Sequence, residues 1–166
     1  MRYRYRVTIR IIIALLSLLV GYKIIYFLIS PLTFYSSYYS LFYLEPIKIT
    51  SNSFVVNGVK LNFISACAAA SAYLLLLLLV LLTDIKLKEA LRIFFVGSLL
   101  IFAANIIRID ILIITLIKYG SSLFNTLHLL FWKILSTIYV VLLWIFLTKT
   151  FKIKEIPIYS DFMRFY

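Results

Sequence analysis

The chain has 166 residues, a net charge of +11, 64% hydrophobic residues and 14% charged residues, with a mean hydropathy of +1.08. Soluble domains carry about 45–50% apolar and about 25% charged residues, so this composition excludes an ordinary soluble protein. A membrane β-barrel would alternate polar and apolar residues in segments of ~10, whereas Leu74 to Leu82 is apolar at every position.

Several apolar runs approach the ~20 residues with which a helix crosses a ~30 Å hydrocarbon layer. The expected fold class is an all-α polytopic membrane protein with four to five transmembrane helices. The positive charge flanks apolar runs, a pattern of membrane orientation rather than of nucleic-acid binding. The single cysteine excludes an intramolecular disulfide and a cysteine-cluster metal site.

Arg2, Arg4, Arg6 and Arg10 precede an apolar run over Ile11 to Ile29. That run is too long for a signal peptide and has no small-residue exit before Pro31, so it reads as a retained first helix entering from the cytoplasm. Residues 30–64 read as an external loop rich in Tyr, Ser, Thr and Asn. Within it, Asn57-Gly58 separates two alternating stretches and predicts a short extracytoplasmic β-hairpin before the second helix. The second helix is expected over about 65–82 and a charged cytoplasmic loop over 83–91. A long apolar segment follows at 92–119, crossing to about Arg108 and continuing as a tilted or broken outer piece. After Gly120-Ser121-Ser122 the last helix is expected over about 127–147, with a cytoplasmic tail over 148–166. Eleven Lys and Arg, Arg92 included, then fall on the side of the termini and the 83–92 loop, only Lys48, Lys60 and Lys118 on the other, and Lys23, Arg108 and Lys133 within spans. Both termini are therefore expected in the cytoplasm.

Helical rise of about 1.5 Å per residue turns this layout into depth. Cys67 lies 17 residues before Asp84, Arg108 lies 16 after Arg92, and His128 lies 21 before Lys149. These intervals correspond to roughly 26, 24 and 32 Å from the cytoplasmic ends, so three reactive side chains from three helices share the outer boundary. Cys67, expected in the first turn of its helix, would have its thiol pKa lowered by the helix dipole. The same cysteine also fits a small-residue packing stretch over 65–72. An arginine within a span is costly and faces a cavity or a partner, or else snorkels. Asn105, three residues before Arg108 on the same face, is placed to hold its guanidinium. Asp110 points away from Arg108, and Lys118 and Lys133 are its open candidates for pairing. His128, expected to open the last helix, is either structural or a proton carrier.

Ser65-Ala66-Cys67 with Ser71, a basic turn, Asn105-x-x-Arg108-Ile109 and then His128 resemble, in this order, the exosortase/archaeosortase family, as does the Asn-Gly hairpin before the cysteine. The resemblance covers about residues 47–147. It implies a plasma-membrane cysteine protease or transpeptidase with its active site at the extracytoplasmic face. Such an enzyme cleaves C-terminal sorting signals of exported proteins and transfers them to a membrane lipid or lipid-linked acceptor. By the same resemblance Cys67 is the nucleophile, Arg108 the family's arginine and His128 the third catalytic position, with Asn105 and Ser71 in support. Two departures are visible: Ala68-Ala69 stand where the family often has a polar pair, and the chain is short, which suggests an oligomer or an accessory partner. The chemistry requires no cofactor or metal. The rival expectation is a non-catalytic membrane subunit that packs with a larger complex or binds sorting signals without cutting them.

Overall fold

The first apolar run stays helical well beyond Ile29. The computed structural model describes residues 2–42, 48–50, 53–56, 59–153, 155 and 157. It has α1 at Arg2–Leu16, a π-helical turn at Ser17–Gly21 and α2 at Tyr22–Phe42. Pro31 lies inside α2, where a proline removes a backbone hydrogen bond and costs about 3 kcal/mol. Packing holds the residues beyond it, because Phe34 and Leu41 are buried in one cluster with Phe54, Phe63, Ala68, Ile109 and Ile113. Residues 30–42, expected as loop, are helix for that reason.

Three short antiparallel strands follow, β1 (Lys48–Thr50), β2 (Ser53–Val56) and β3 (Val59–Asn62), in the order β1-β2-β3. Phe54 sits opposite Ile49 on one side and Leu61 on the other. The two-residue period of a strand leaves Lys60 and Asn62 exposed and Phe63 buried. Phe34 of α2 stacks on Phe54 at 4.6 Å and meets Phe63 edge-on at 5.4 Å. The Asn57-Gly58 turn expected between β2 and β3, and Pro46, lie outside the described residues.

The expected helix over 65–82 is shorter at its start. Ser65–Ala68 form a single 3₁₀ turn, and Ala69 takes a left-handed conformation at φ 52° and ψ 28°. That conformation costs an alanine roughly 1–2 kcal/mol and breaks the path into α3, Ala70–Leu81. Helix α4 spans Leu87–Leu130 and is interrupted at Gly120, where φ 80° and ψ −176° suit glycine almost alone. The break was expected there, but helix resumes at once instead of at residue 127. A π-helical turn at Phe131–Leu135 leads into α5, Ser136–Thr150, so the last helix also runs a little past 147. The protein is thus mostly helical, and two of its stretches, Tyr5–Phe42 and Leu87–Leu130, are long and apolar enough to cross a membrane.

The chain divides into two compact units, one of Met1–Ile25, Ser71–Ile101 and Ile138–Tyr166, the other of Tyr26–Ala70 and Phe102–Thr137. In the first, Arg10 closes the end of α3. Its guanidinium donates to the carbonyls of Leu81 (3.2 Å) and Leu82 (2.8 Å) and meets the Asp84 carboxylate at 3.2 Å. These are carbonyls that a helix C-terminus leaves without intrahelical partners. Gly97 is buried in the same unit, and a Cβ there would stand 2.6 Å from Leu76 and 2.9 Å from Leu147. Gly97→Val therefore overpacks α4 against α3 and α5, with an expected loss of about 1–3 kcal/mol. The check is the thermal midpoint of the purified protein in detergent, and an unchanged midpoint would contradict this packing.

Candidate functional site

The second unit assembles the candidate site from the 3₁₀ turn and α4. Phe54, Phe63, Ile109 and Ile113 form the apolar bed on which Ala68 is fully buried and against which Cys67 packs. The turn is closed locally by the Cys67 N–H, which donates to the Ile64 carbonyl at 2.9 Å. It is held from α4 by two side chains. The Asn105 amide nitrogen Nδ2 donates to the Cys67 carbonyl at 2.7 Å, and Arg108 Nη2 donates to the Ala66 carbonyl at 2.8 Å. Asn105 and Arg108 are one helical turn apart, so a single face of α4 supplies both donors.

This geometry explains why an arginine is tolerated on an apolar helix. Its hydrogen bond to a backbone carbonyl is charge-assisted, a class worth about 1.5–3 kcal/mol. It also corrects the expected pairing, since Asn105 does not hold the Arg108 guanidinium. Both residues reach instead for successive carbonyls of the cysteine turn. Each keeps one buried polar atom without a partner, Asn105 Oδ1 and Arg108 Nε. Such an orphan costs about 1–3 kcal/mol, and both belong to the side chains that hold the cysteine turn.

The thiol itself departs from the expectation. Cys67 is half-buried and lies in a turn separated from α3 by the left-handed Ala69, so it is not in the first turn of an α-helix. Burial pushes the thiol above its ordinary pKa, while a backbone hydrogen bond at Ile64 and the Arg108 charge pull the other way. Desolvation is the larger influence, so the resting group is a protonated thiol and not the low-pKa thiolate that a helix dipole would give.

His128 is placed near the end of α4 rather than at the start of a helix. Its ring stacks on Phe124, four residues earlier, at 5.7 Å between centroids. Among the described residues it makes no hydrogen bond to Cys67. The Arg108 charge acts on both Cys67 and His128, in each case less than burial does. Ser71 stands exposed in the first turn of α3.

Asp110 pairs with neither lysine. Its carboxylate lies 2.9 Å from the Ser40 hydroxyl, whose single proton is shared between Asp110 and the Ser37 carbonyl at 3.0 Å. Ser40 is not legible in the sequence, because residues 30–64 read as loop, which gives a serine no helix face. Phe124 has a visible four-residue spacing from His128, but its stretch reads as a connection, which hides the pair. No group of three or more His, Cys, Asp or Glu able to hold a metal is present among the described residues. Comparison of the chain with protein-family models, curated proteins and solved structures finds no match.

Proposed function

We propose that the chain is a multi-pass membrane cysteine transpeptidase of the exosortase/archaeosortase kind, cleaving C-terminal sorting signals of exported proteins and passing them to a membrane lipid or lipid-linked acceptor. The observation that carries this reading is the double tether of the cysteine turn. Asn105 and Arg108 fix the carbonyls of Cys67 and Ala66 at 2.7 and 2.8 Å and so hold the thiol beside a fixed positive charge. A mere packing cysteine needs neither.

In the proposed topology α3 and α5 join the two long apolar stretches as spans. Both termini are cytoplasmic, and the strands with the Cys67 turn lie at the outer face. The asymmetry of Lys and Arg supports this orientation. Tyr5–Phe42 and Leu87–Leu130, at 38 and 44 residues, would measure roughly 57 and 66 Å as continuous helices. Both exceed the hydrocarbon layer, so their excess lengths project beyond the span.

In the reaction, His128 takes the thiol proton and Cys67 sulfur attacks the carbonyl of the scissile peptide bond. The Arg108 charge stabilises the oxyanion of the tetrahedral intermediate. The C–N bond then breaks, His128 returns the proton to the leaving amine, and a thioester remains on Cys67. An acceptor nucleophile deprotonated by His128 attacks the thioester, which releases the product and the thiol. The test is co-expression with an exported protein that ends in a short motif, an apolar helix and a basic tail. Wild-type chain removes the tail, and Cys67→Ala leaves it in place while remaining inserted. Equal processing by Cys67→Ala would remove the thiol from the reaction.

A second reading is a non-catalytic membrane subunit, and the half-burial of the protonated Cys67 thiol favours it. In that case Asn105 and Arg108 only brace the turn, and Cys67→Ala is functionally silent.

A further inference from the structure

The two tethers leave a matched pair of unused atoms. Asn105 is 4% exposed, and because its Nδ2 donates to the Cys67 carbonyl the orphaned atom is necessarily the acceptor Oδ1. Arg108 spends Nη2 on the Ala66 carbonyl and keeps an unpartnered donor at Nε. Buried polar atoms are almost always paired, so an acceptor and a donor left on the two side chains that brace the cysteine turn describe a ligand that offers the opposite pair. The two side chains are one turn apart on α4, with Cβ atoms ~5–6 Å apart in such a pair. A single residue of extended polypeptide offers that complement, because its own N–H and C=O point to the same side of the chain. This is the pattern by which a strand pairs with an antiparallel neighbour.

We infer that Asn105 Oδ1 and Arg108 Nε form a backbone-recognition subsite that receives one extended residue of a peptide. Oδ1 accepts its N–H and Nε donates to its carbonyl. The inference rests on the transpeptidase reading for the identity of that peptide as the sorting signal. It adds that the residue beside the thiol is recognised through main-chain atoms, independently of its side chain. Asn105 thereby acts as a positioning residue with two duties, one toward the cysteine turn through Nδ2 and one toward the peptide through Oδ1. A sorting signal would then be read by side chains farther from the cleavage point, and the chain next to it would have to be extended. Proline at this position, which lacks an N–H, would be rejected.

The subsite can be read without any substrate, by alkylation of Cys67 in intact membranes. The probe is iodoacetyl-glycine N-methylamide, in which sulfur displaces iodide and the glycine supplies the N–H and C=O. Its companion is iodoacetyl-glycolic acid N-methylamide, which has the same shape with an ester oxygen in place of that N–H. Rates are measured by mass spectrometry of the Cys67 peptide, and each is divided by the rate of the same reagent with glutathione. The wild-type chain is expected to favour the amide over the ester by roughly fivefold after this correction, as one net hydrogen bond allows. Asn105→Leu is expected to abolish the preference. A corrected ratio of one in the wild-type chain overturns the inference, and that comparison does not depend on whether Asn105→Leu folds. A water bridging the two atoms without yielding to the peptide would give this same ratio of one. Amide preference without processing of any sorting signal keeps the subsite and overturns the transpeptidase reading. Processing without amide preference does the reverse.

Discussion

Arg108→Gln lowers processing of a sorting-signal substrate by about 10²–10³-fold, the usual loss when one preorganised oxyanion partner is removed. Glutamine loses the charge and, because its amide nitrogen stands about where Arg108 Nε does, also falls short of the Ala66 carbonyl that Nη2 holds at 2.8 Å. Arg108→Lys keeps the charge and gives up the planar fork, whose separate nitrogens bond and remain free at the same time. It is expected to fall between wild type and Arg108→Gln. The measurement is the rate at which the tailed form of the substrate disappears, normalised to the amount of chain in the membrane. If the two variants instead lose abundance together and retain their rate per molecule, Arg108 is a brace for the turn and nothing more.

His128→Ala carries the second large effect, and its signature lies in pH. Burial holds the Cys67 thiol above its ordinary range, which for a free cysteine is about 8.5. Near neutral pH the thiol is therefore protonated, and the attack needs a base. His128, stacked on Phe124, is that base in the proposed reaction, and general-base assistance typically contributes 10²–10⁴-fold. Without it processing is expected to fall by about this factor at pH 7. It should recover as the pH rises past the ordinary thiol range, because solvent hydroxide then produces the thiolate. The sign follows from the thiol being an acid with a raised pKa: more alkaline solution supplies more of the reactive form. A loss that stays flat between pH 7 and pH 9.5 would assign His128 to structure and leave the base unidentified.

The residues of the site were legible because each carries a cost that the sequence cannot conceal. An arginine and an asparagine one turn apart in Ala104–Ile113 have no place on a lipid-facing helix, so a polar partner for them was expected. The identity of that partner was hidden. Ser65 to Ala72 is made of small residues with good helix propensity, and nothing in it announces that Ala69 turns left-handed. The carbonyls that Asn105 and Arg108 reach exist only because of that turn.

The same limit applies to α2. Tyr, Ser and Thr after Pro31 resemble an interfacial loop locally, and their helical state comes from contacts with Phe54 and Ile109, which are remote in sequence. A loop over residues 30–42 gives Ser40 no fixed place, so its hydrogen bond with Asp110 is not legible in the sequence. The break at Gly120 was visible because only glycine tolerates that backbone. What followed it was not, since Ser121-Ser122 reads equally well as a loop or as the opening of a helix.

Acylation of Cys67 by a sorting-signal peptide is the defining step of the proposed reaction. The direct measurement is the intact mass of the chain, recovered under denaturing acidic conditions from membranes co-expressing a substrate, with wild type and Cys67→Ser compared. A fraction of wild-type chain is expected to be heavier by the substrate's acyl portion, attached at Cys67 and released by neutral hydroxylamine, with no hydroxylamine-labile thioester adduct on Cys67→Ser. A substrate that loses its tail while the wild-type chain never carries a thioester, and equally in cells with Cys67→Ser, would contradict it.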